Sequence, residues 1–131
     1  MPYSHPIEVR FSDLDAMGHV NNAVVVSFME QARYQWWRTY LGGRKFQEEG
    51  FLIARVEVDY RQPILLGDDV RVELACGRVG NSSFELCYRL TQGLGGPVFA
   101  EGKSVQVMLD FATQRPRPLS TATRAWLGAQ A

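Results

Sequence analysis

The chain has 131 residues, of which 46% are hydrophobic and 21% charged, as is typical of one globular domain. Its 14 basic and 14 acidic residues cancel, which argues against a nucleic-acid-binding protein because that affinity depends on many phosphate contacts. The sequence contains no apolar run long enough to cross a membrane and no secretory signal at its start. We therefore expect a single domain over residues 1–131, located in the cytoplasm, where Cys76 and Cys87 would be reduced, buried thiols that could face each other across two strands.

The first predicted element is a strand over residues 5–13. Ile7, Val9 and Phe11 alternate with charged residues, which is the period of a half-buried strand. The sequence SDLDAMGH follows and is rich in residues that form turns. The strand is therefore predicted to end in a polar loop.

A long helix is predicted after this loop. Asn21 or Asn22 is the expected N-cap, because an asparagine side chain can accept a hydrogen bond from the free amides of the first turn. Apolar residues recur at helical spacing from Val25 to Tyr40. No charged residue occurs between Ala16 and Met29, which indicates a helix buried on most faces. The sequence LGG at 41–43 predicts its end.

Four further strands are predicted from alternating apolar residues, and the turn sequences GNSS and GLGG separate the last three of them. The strand sequences are FLIARVEVDYRQPI, DDVRVELACGRV, FELCYRLTQ and PVFAEGKSVQVMLD. The Pro-rich tail ends in a predicted short helix. This order indicates the α+β class, with one five-stranded antiparallel sheet wrapped around one long central helix. An open sheet of this size commonly covers its remaining edge and face by forming oligomers.

The segment FSDLDAMGHVNN, residues 11–22, joins the first strand to the helix. Amides at a helix N-terminus, here those of Gly18 and His19, could stabilise negative charge on a carbonyl oxygen as an oxyanion hole. Asp13 or Asp15 could attack that carbonyl or activate water. The pattern fits acyl transfer, although the same residue types are common in turns and helix caps.

Other sites are less well supported by the sequence. Asp13, Asp15 and His19 could in principle ligate a metal, but His5 is the only other histidine and it lies at the far end of the first strand. We therefore predict no metal site. The sequence has no Gly-x-Ser-x-Gly motif, and the glycines of GLGG are interpreted as a hairpin turn rather than a phosphate loop.

The segment RFSDLDAMGHVNNAVVVSFMEQAR, residues 10–33, resembles the signature of hotdog-fold acyl-CoA thioesterases of the 4-hydroxybenzoyl-CoA thioesterase type. Those proteins share an aromatic residue, Asp-x-Asp, Gly-His-x-Asn-Asn and then Glu-x-Ala-Arg in the helix. VEVDYRQPILLGDDVRVE and EGKSVQVMLD also resemble strands of that family. The resemblance implies the hotdog fold over residues 1–131 and hydrolysis of an acyl-CoA thioester to a free acid and CoA.

The resemblance also implies roles for individual residues of the loop. Asp15 corresponds to the catalytic carboxylate, either as nucleophile or as general base. Gly18 and His19 correspond to the loop whose amides polarise the thioester carbonyl, and His19 could also orient Asp15 or be structural. Asn22 could position water or cap the helix. Asp13 is expected to be a turn or hydrogen-bonding group.

The helix departs from the family pattern at Val25, where many relatives carry a tyrosine. Val24, Val25 and Phe28 make this wall apolar, so they imply an apolar acyl group if they face the pocket, and are otherwise plain core residues. Glu30 and Arg33 have the i, i+3 spacing of an ordinary helix ion pair.

Coenzyme A carries phosphates, so we expect basic residues to contact it. Arg61, Arg89 and Lys103 are the candidates, and Ser104 is a candidate hydrogen-bond donor beside Gly102. The resemblance implies a homodimer with sites at the subunit interface, or a homotetramer made of such dimers. It implies no metal or prosthetic group, so the coenzyme A of the substrate is the only cofactor expected.

Two alternatives remain at the level of sequence. A hotdog protein could hold acyl-CoA or acyl carrier protein without turnover, and the missing tyrosine at Val25 leaves this alternative open. A hotdog dehydratase or hydratase would use a different arrangement of histidine and acid, which the sequence lacks.

Overall fold

The computed structural model describes residues 3–131. Five antiparallel strands form one sheet in the order β1-β3-β4-β5-β2, and a two-residue strand, β6, pairs with the end of β5. The elements are β1 (Tyr3–Ile7), α1 (Asn22–Leu41), β2 (Phe51–Tyr60), β3 (Val70–Val79), β4 (Ser83–Gln92), β5 (Val98–Asp110), β6 (Arg115–Pro116) and α2 (Thr121–Gly128). The predicted sheet, the long helix and the short C-terminal helix are all present, so the predicted α+β class is confirmed.

The first strand is shorter than the sequence predicted. It ends at Ile7, and residues Phe11–Asp13 form a 3-10 turn in which Phe11 is 81% exposed instead of facing the core. The Asp13 carboxylate accepts a hydrogen bond from the Arg10 backbone amide at 2.8 Å. A side chain that bonds the local backbone in this way competes with strand pairing, and here it curls the chain out of the sheet.

Helix α1 has the ends that the sequence predicted. The side chain of Asn21 caps the first turn by accepting from the amide of Ala23 at 2.8 Å, and Gly42 follows the last helical residue. The buried residues of α1 pack against the inner face of the sheet: Val25, Phe28, Met29, Ala32, Arg33, Trp36, Trp37 and Leu41. Arg33 is the one charged residue in this set.

An aromatic cluster joins the two helices to the sheet. Trp36 and Trp126 have ring centroids 4.9 Å apart, and Trp37 lies 5.8 Å from both Trp126 and Phe84. Ser120 caps α2 by accepting from the amide of Thr123 at 3.1 Å. The C-terminal helix is therefore held against α1 by tilted and edge-to-face aromatic contacts, which explains why the Pro-rich tail returns to the body of the protein.

The register of β3 and β4 places the two cysteines on opposite faces of the sheet. Cys87 is opposite Ala75, and Cys76 is opposite Leu86. Cys76 is buried in the core, where burial raises the pKa of its thiol to about 11. Cys87 is only half-buried on the outer face. The prediction that both thiols are buried is therefore wrong for Cys87. The prediction that they could face each other is also wrong, because the two cysteines are offset by one residue in the β3–β4 register and neighbouring residues of a strand point to opposite faces.

Strand β2 forms one edge of the sheet, and its inner face is poorly covered. Ile53, Val56 and Tyr60 pair with inward-facing residues of β5, yet they are 37%, 39% and 45% exposed. Helix α1 lies over β1 and β3 instead. Two separate cavities therefore lie between the helix and β2, one beside Asn22 and Tyr60 and the other beside Tyr34 and Ile53.

Neither helix in residues 3–131 is long and apolar enough to cross a bilayer.

Candidate active site

The loop before α1 is held in a compact turn by its own backbone. The amide of Asp15 donates to the carbonyl of His19 at 2.8 Å, and the amide of Gly18 donates to the carbonyl of Asp15 at 3.0 Å. Gly18 has a φ of +79°, which favours glycine. The amide of Met17 donates to Oδ1 of Asp15 at 2.9 Å and so orients its carboxylate, with Asp15 exposed to solvent.

The buried side chain of Asp13 holds this loop in place. It is only 2% exposed, and its carboxylate accepts from the Arg10 amide at 2.8 Å and from the Arg10 guanidinium at 3.0 Å. The hydrogen bonds from Arg10 lower the pKa of Asp13. Its carbonyl also accepts from the amide of Asn21 at 2.9 Å. Asp13 is therefore a hydrogen-bonding group of the loop, as the sequence predicted, and it ties the loop to the start of α1.

A cavity of about 430 Å³ opens at the N-terminus of α1. It brings together five residues that the sequence singled out: Asp15, His19, Asn22, Val25 and Arg61. Apolar side chains supply much of the remaining wall, among them Val20, Ile64 and Phe99. The cavity thus combines an exposed carboxylate with an apolar lining at the positive end of a helix dipole.

Two backbone amides at this helix end have no hydrogen-bond partner in the described part of the chain. Within residues 3–131, the amides of His19 and Asn22 make no hydrogen bond, whereas those of Val20 and Asn21 donate to the carbonyls of Ile64 and Asp13. The Gly18 amide donates a hydrogen bond to the Asp15 carbonyl. The expectation that Gly18 contributes a free amide therefore does not fit this geometry, and the free donors lie one residue and four residues later.

Three of the residues proposed to bind coenzyme A lie elsewhere in the chain. Arg89 and Lys103 are exposed on the outer face of the sheet, and Arg89 forms an ion pair with Glu101 at 3.9 Å. Ser104 is on the inner face, only 1% exposed, with its hydroxyl 2.6 Å from that of Tyr88. Within a single chain, none of the three reaches the cavity.

Tyr60 is a cavity residue that the sequence did not single out. Its hydroxyl donates to the carbonyl of Asn22 at 2.8 Å and so links β2 to the first turn of α1. The alternation of Val56, Val58 and Tyr60 placed it on one face of the strand, but nothing local in the sequence indicated that this face adjoins the helix.

Within the described part of the chain, no group of three or more histidine, cysteine, aspartate or glutamate side chains is arranged to hold a metal ion.

Comparison with known proteins identifies the family. Residues 9–127 match the model of the thioesterase-like superfamily. The chain is 30% identical over 125 residues to the 1,4-dihydroxy-2-naphthoyl-CoA hydrolase of Synechococcus elongatus, covering 91% of this chain and 90% of that one. It is 28% identical over 123 residues to the long-chain acyl-CoA thioesterase FadM of Escherichia coli, covering 90% and 91%.

A solved structure supports the same relationship. A thioesterase of Thermus thermophilus, crystallised with coenzyme A and zinc, is 40% identical to this chain and superposes with a TM-score of 0.84 over 95% of both chains. The predicted resemblance to hotdog-fold thioesterases is therefore confirmed, and the chain belongs to the thioesterase-like superfamily.

Proposed function

We propose that this protein hydrolyses an acyl-CoA thioester to a carboxylic acid and free CoA. The observation that carries the proposal is the position of the Asp15 carboxylate in one cavity with the N-terminus of α1. Relatives named as a CoA hydrolase and an acyl-CoA thioesterase support the reaction class. The coenzyme A bound to the Thermus thermophilus relative supports the leaving group.

The free amides of His19 and Asn22 are the proposed oxyanion donors. Attack on a thioester carbonyl moves negative charge onto its oxygen, and preorganised N–H groups stabilise that charge without having to reorient. The helix dipole adds to the effect at the N-terminus of α1. Tyr60 supports the arrangement from β2, because its hydrogen bond to the Asn22 carbonyl fixes the first turn.

Asp15 is the proposed reactive group, and two routes are open to it. As a nucleophile, it attacks the carbonyl carbon, the C–S bond breaks, and CoA leaves as the thiolate, so that water must then hydrolyse an acyl-aspartyl anhydride. As a general base, it takes a proton from water, the resulting hydroxide attacks the carbonyl carbon, and the C–S bond then breaks to release CoA as the thiolate, which gains a proton. The Met17 amide occupies Oδ1, which leaves Oδ2 for either route.

The cavity favours an apolar acyl group. Val20, Val25, Ile64 and Phe99 line it, and burying apolar acyl carbons against such a wall is favourable by about 25 cal/mol per Å². Arg61 lies at the same cavity with its side chain 54% exposed, where a guanidinium can bind a phosphate of coenzyme A. Asn22 is proposed to position water or to act through its backbone.

We also propose that the active form is a homodimer or homotetramer in the cytoplasm, with no cofactor other than the coenzyme A of the substrate. The uncovered inner face of β2 supports oligomerisation. A second subunit would also give the exposed side chains of Arg89 and Lys103 a route to the substrate, since they do not reach the cavity of their own chain. Ser104 is buried and bonded within its own chain, so it is not proposed to contact the substrate.

The test measures release of free CoA thiol from a panel of acyl-CoAs, aromatic through long-chain. Asp15→Asn is compared with wild type and with Glu57→Gln, a matched control whose side chain is 51% exposed on the outer face of β2 and pairs with Arg55. We expect Asp15→Asn to lose at least about a hundredfold in kcat while Glu57→Gln stays at the wild-type level. Full activity in Asp15→Asn would refute the proposed role, and the best substrate would give the acyl class.

Isotope labelling distinguishes the two routes. In a single turnover in H₂¹⁸O, attack of water on the aspartyl carbonyl of the anhydride leaves ¹⁸O in the peptide that contains Asp15. The general-base route leaves ¹⁸O only in the acid product, with no acyl adduct on Asp15 in rapid-quench mass spectrometry.

A binding protein without turnover is the second candidate. Val25 favours it, because α1 offers no hydroxyl to the cavity at that position. Saturable binding of acyl-CoA with no thiol release from any member of the panel would support this candidate over the enzyme.

A further inference from the structure

Strand β5 contains a β-bulge beside the cavity at the N-terminus of α1. In the pairing with β4, Val98 and Ala100 are opposite consecutive residues, so Phe99 between them is an extra residue. The Phe99 carbonyl accepts hydrogen bonds from the amides of Arg61 and Gln62, at 2.8 and 3.0 Å. The chain that leaves β2 therefore holds the bulge in place.

The bulge brings two consecutive side chains to one wall of the cavity. Neighbouring residues of a regular strand point to opposite faces, so without the bulge Phe99 would point away from the side that Ala100 faces. In this structure Phe99 is 5% and Ala100 1% exposed, and both line the cavity. A bulge that redirects a side chain in this way is common next to functional sites.

These two residues lie at the deep end of the cavity. Asp15 and Met17 are at its exposed mouth, whereas Val25, Phe99 and Ala100 are almost completely buried. An acyl group whose carbonyl lies beside Asp15 therefore extends its tail towards β5. The deep residues are buried by their own chain, so they form this wall whether or not a second copy covers the mouth.

Beyond Ala100, contact between α1 and β5 closes the cavity. The next position on the same face of β5 is Gly102, where a Cβ would lie 3.1 Å from Cε of Met29. Met29 is 1% exposed and lines neither of the two cavities beside β2. The helix rests directly on the strand at this point, which leaves no passage for a longer chain within one subunit.

We propose that Phe99 and Ala100 form the closed end of the acyl pocket and restrict the substrate to compact acyl groups, aromatic or up to medium chain length. This inference rests on the proposed hydrolysis of an acyl-CoA at the same cavity and adds a size limit to it. The Phe99 ring covers the side of the acyl group. The single methyl group of Ala100 leaves room for its end.

The test measures kcat/KM for butyryl-, octanoyl- and tetradecanoyl-CoA by release of free CoA thiol. We expect wild type to prefer octanoyl-CoA over tetradecanoyl-CoA by at least about tenfold. Ala100→Leu fills the closed end and should lower the octanoyl-to-butyryl ratio by at least about tenfold, because methylene groups that no longer fit are excluded. Phe99→Val enlarges the same end and should raise the tetradecanoyl-to-octanoyl ratio.

Phe84→Val is the matched control for loss of a buried ring. Phe84 is 1% exposed in the aromatic cluster, 5.8 Å from Trp37 between ring centroids, and lines neither cavity. Its replacement should lower the thermal unfolding temperature and leave both substrate ratios unchanged. A general loss of packing would shift the variants in one direction, whereas the proposal requires opposite shifts from Ala100→Leu and Phe99→Val. If Phe99→Val does not fold, Ala100→Val and Ala100→Leu should shorten the preferred chain in that order.

The proposal is overturned if tetradecanoyl-CoA is the best wild-type substrate, which would mean that the acyl tail leaves the pocket by another route. It is also overturned if Ala100→Leu leaves the ratios unchanged or if Phe84→Val changes them equally. Dissociation constants of the same acyl-CoAs, measured by calorimetry in the Asp15→Asn background, separate this result from a failure of the proposed hydrolysis. If wild type releases no thiol, hydrolysis is refuted, and affinities that Ala100→Leu does not change would refute the size limit as well.

Discussion

Asp13 and Asp15 are two residues apart, but they differ in burial and in hydrogen bonding. Asp13 is 2% exposed and held by Arg10, whereas Asp15 is exposed and has a single amide on one oxygen. The carboxylate that is already bound by a cation is stabilised and unavailable for chemistry. The exposed carboxylate has an oxygen free for a substrate, and this difference supports Asp15 as the reactive acid.

Asp13→Asn should therefore reduce stability in a pH-dependent manner. The folded protein holds the pKa of Asp13 below its usual value, so the carboxylate stabilises the fold above the unfolded-state pKa of about 4 and loses this effect as the pH falls through the folded-state pKa. We expect a loss of about 1–2 kcal/mol in the free energy of unfolding at pH 7. Urea unfolding at pH 7 and pH 3 checks it, and an equal loss at both would contradict the explanation.

Tyr60→Phe tests the link between β2 and α1. Removing the hydroxyl takes away the tie between β2 and the Asn22 carbonyl, which then keeps only its hydrogen bond within the helix, and so loosens the first turn that presents the proposed oxyanion amides. A lost neutral hydrogen bond of about 1 kcal/mol corresponds to a fall in kcat of about fivefold, with KM nearly unchanged because the ring remains. Steady-state kinetics on the best acyl-CoA separates the two constants. A rise in KM alone would mean that the hydroxyl binds substrate instead.

The sequence could predict much of the site because its key residues are close in the chain. Asp15, His19 and Asn22 belong to one loop and one helix end, and the structure brings them to one cavity. Their chemical roles remain predictions. Tyr60 could not be predicted, because its contact with Asn22 spans 38 positions. The hydrogen bond from the Gly18 amide to the Asp15 carbonyl also could not be predicted, because it depends on the loop conformation and not on its composition.

At the scale of elements, the sequence predicted the two ends of α1, but it did not predict which of its side chains are buried. Asn21 and the glycines after Leu41 mark the ends of α1 with short-range chemistry. The spacing of Glu30 and Arg33 predicted an ordinary helix ion pair, and the two side chains do lie 3.8 Å apart. The spacing did not indicate that Arg33 is buried while Glu30 is exposed. Helical periodicity gives the angle between two residues, but the width of the buried stripe depends on where the sheet lies.

Gly102 sets how closely β5 can approach its neighbours. A Cβ there would lie 2.6 Å from the carbonyl oxygen of Glu57 and 3.1 Å from Cε of Met29. The first contact is with backbone, which cannot turn aside, so Gly102→Ala should destabilise the fold by about 1–3 kcal/mol. Gly128→Ala is the control, because a Cβ meets nothing within 4 Å there. Chemical denaturation of both variants checks the difference, and equal stability would contradict it.

At the scale of the whole molecule, the strand order could not be deduced from the strands themselves. β1 pairs with β3 and β2 pairs with β5, so the segments that flank α1 become the two edges of the sheet. The number of strands followed from alternation and turn residues, which are local. The uncovered face of β2 follows from the placement of α1 over the opposite half, which is a property of the complete fold.

That uncovered face leads to a prediction about assembly. Val56 is 39% exposed on the inner face of β2, so a charge there should not disturb the core of one chain. If two copies join along β2, Val56→Asp should shift the protein towards monomer, and Arg55→Asp on the outer face of the same strand should have a smaller effect. Sedimentation velocity over a concentration series measures both. A wild type that stays monomeric at all concentrations would contradict the predicted homodimer or homotetramer.

The aromatic cluster that joins α1, α2 and the sheet contains every tryptophan of the chain: Trp36, Trp37 and Trp126. Their intrinsic fluorescence and near-ultraviolet circular dichroism therefore report on one region, the docking of the C-terminal helix. None of them lines the cavity at the N-terminus of α1, so ligand binding there should leave the emission maximum in place. A red shift at a denaturant concentration where the far-ultraviolet signal is still native would mean that α2 detaches before the sheet unfolds.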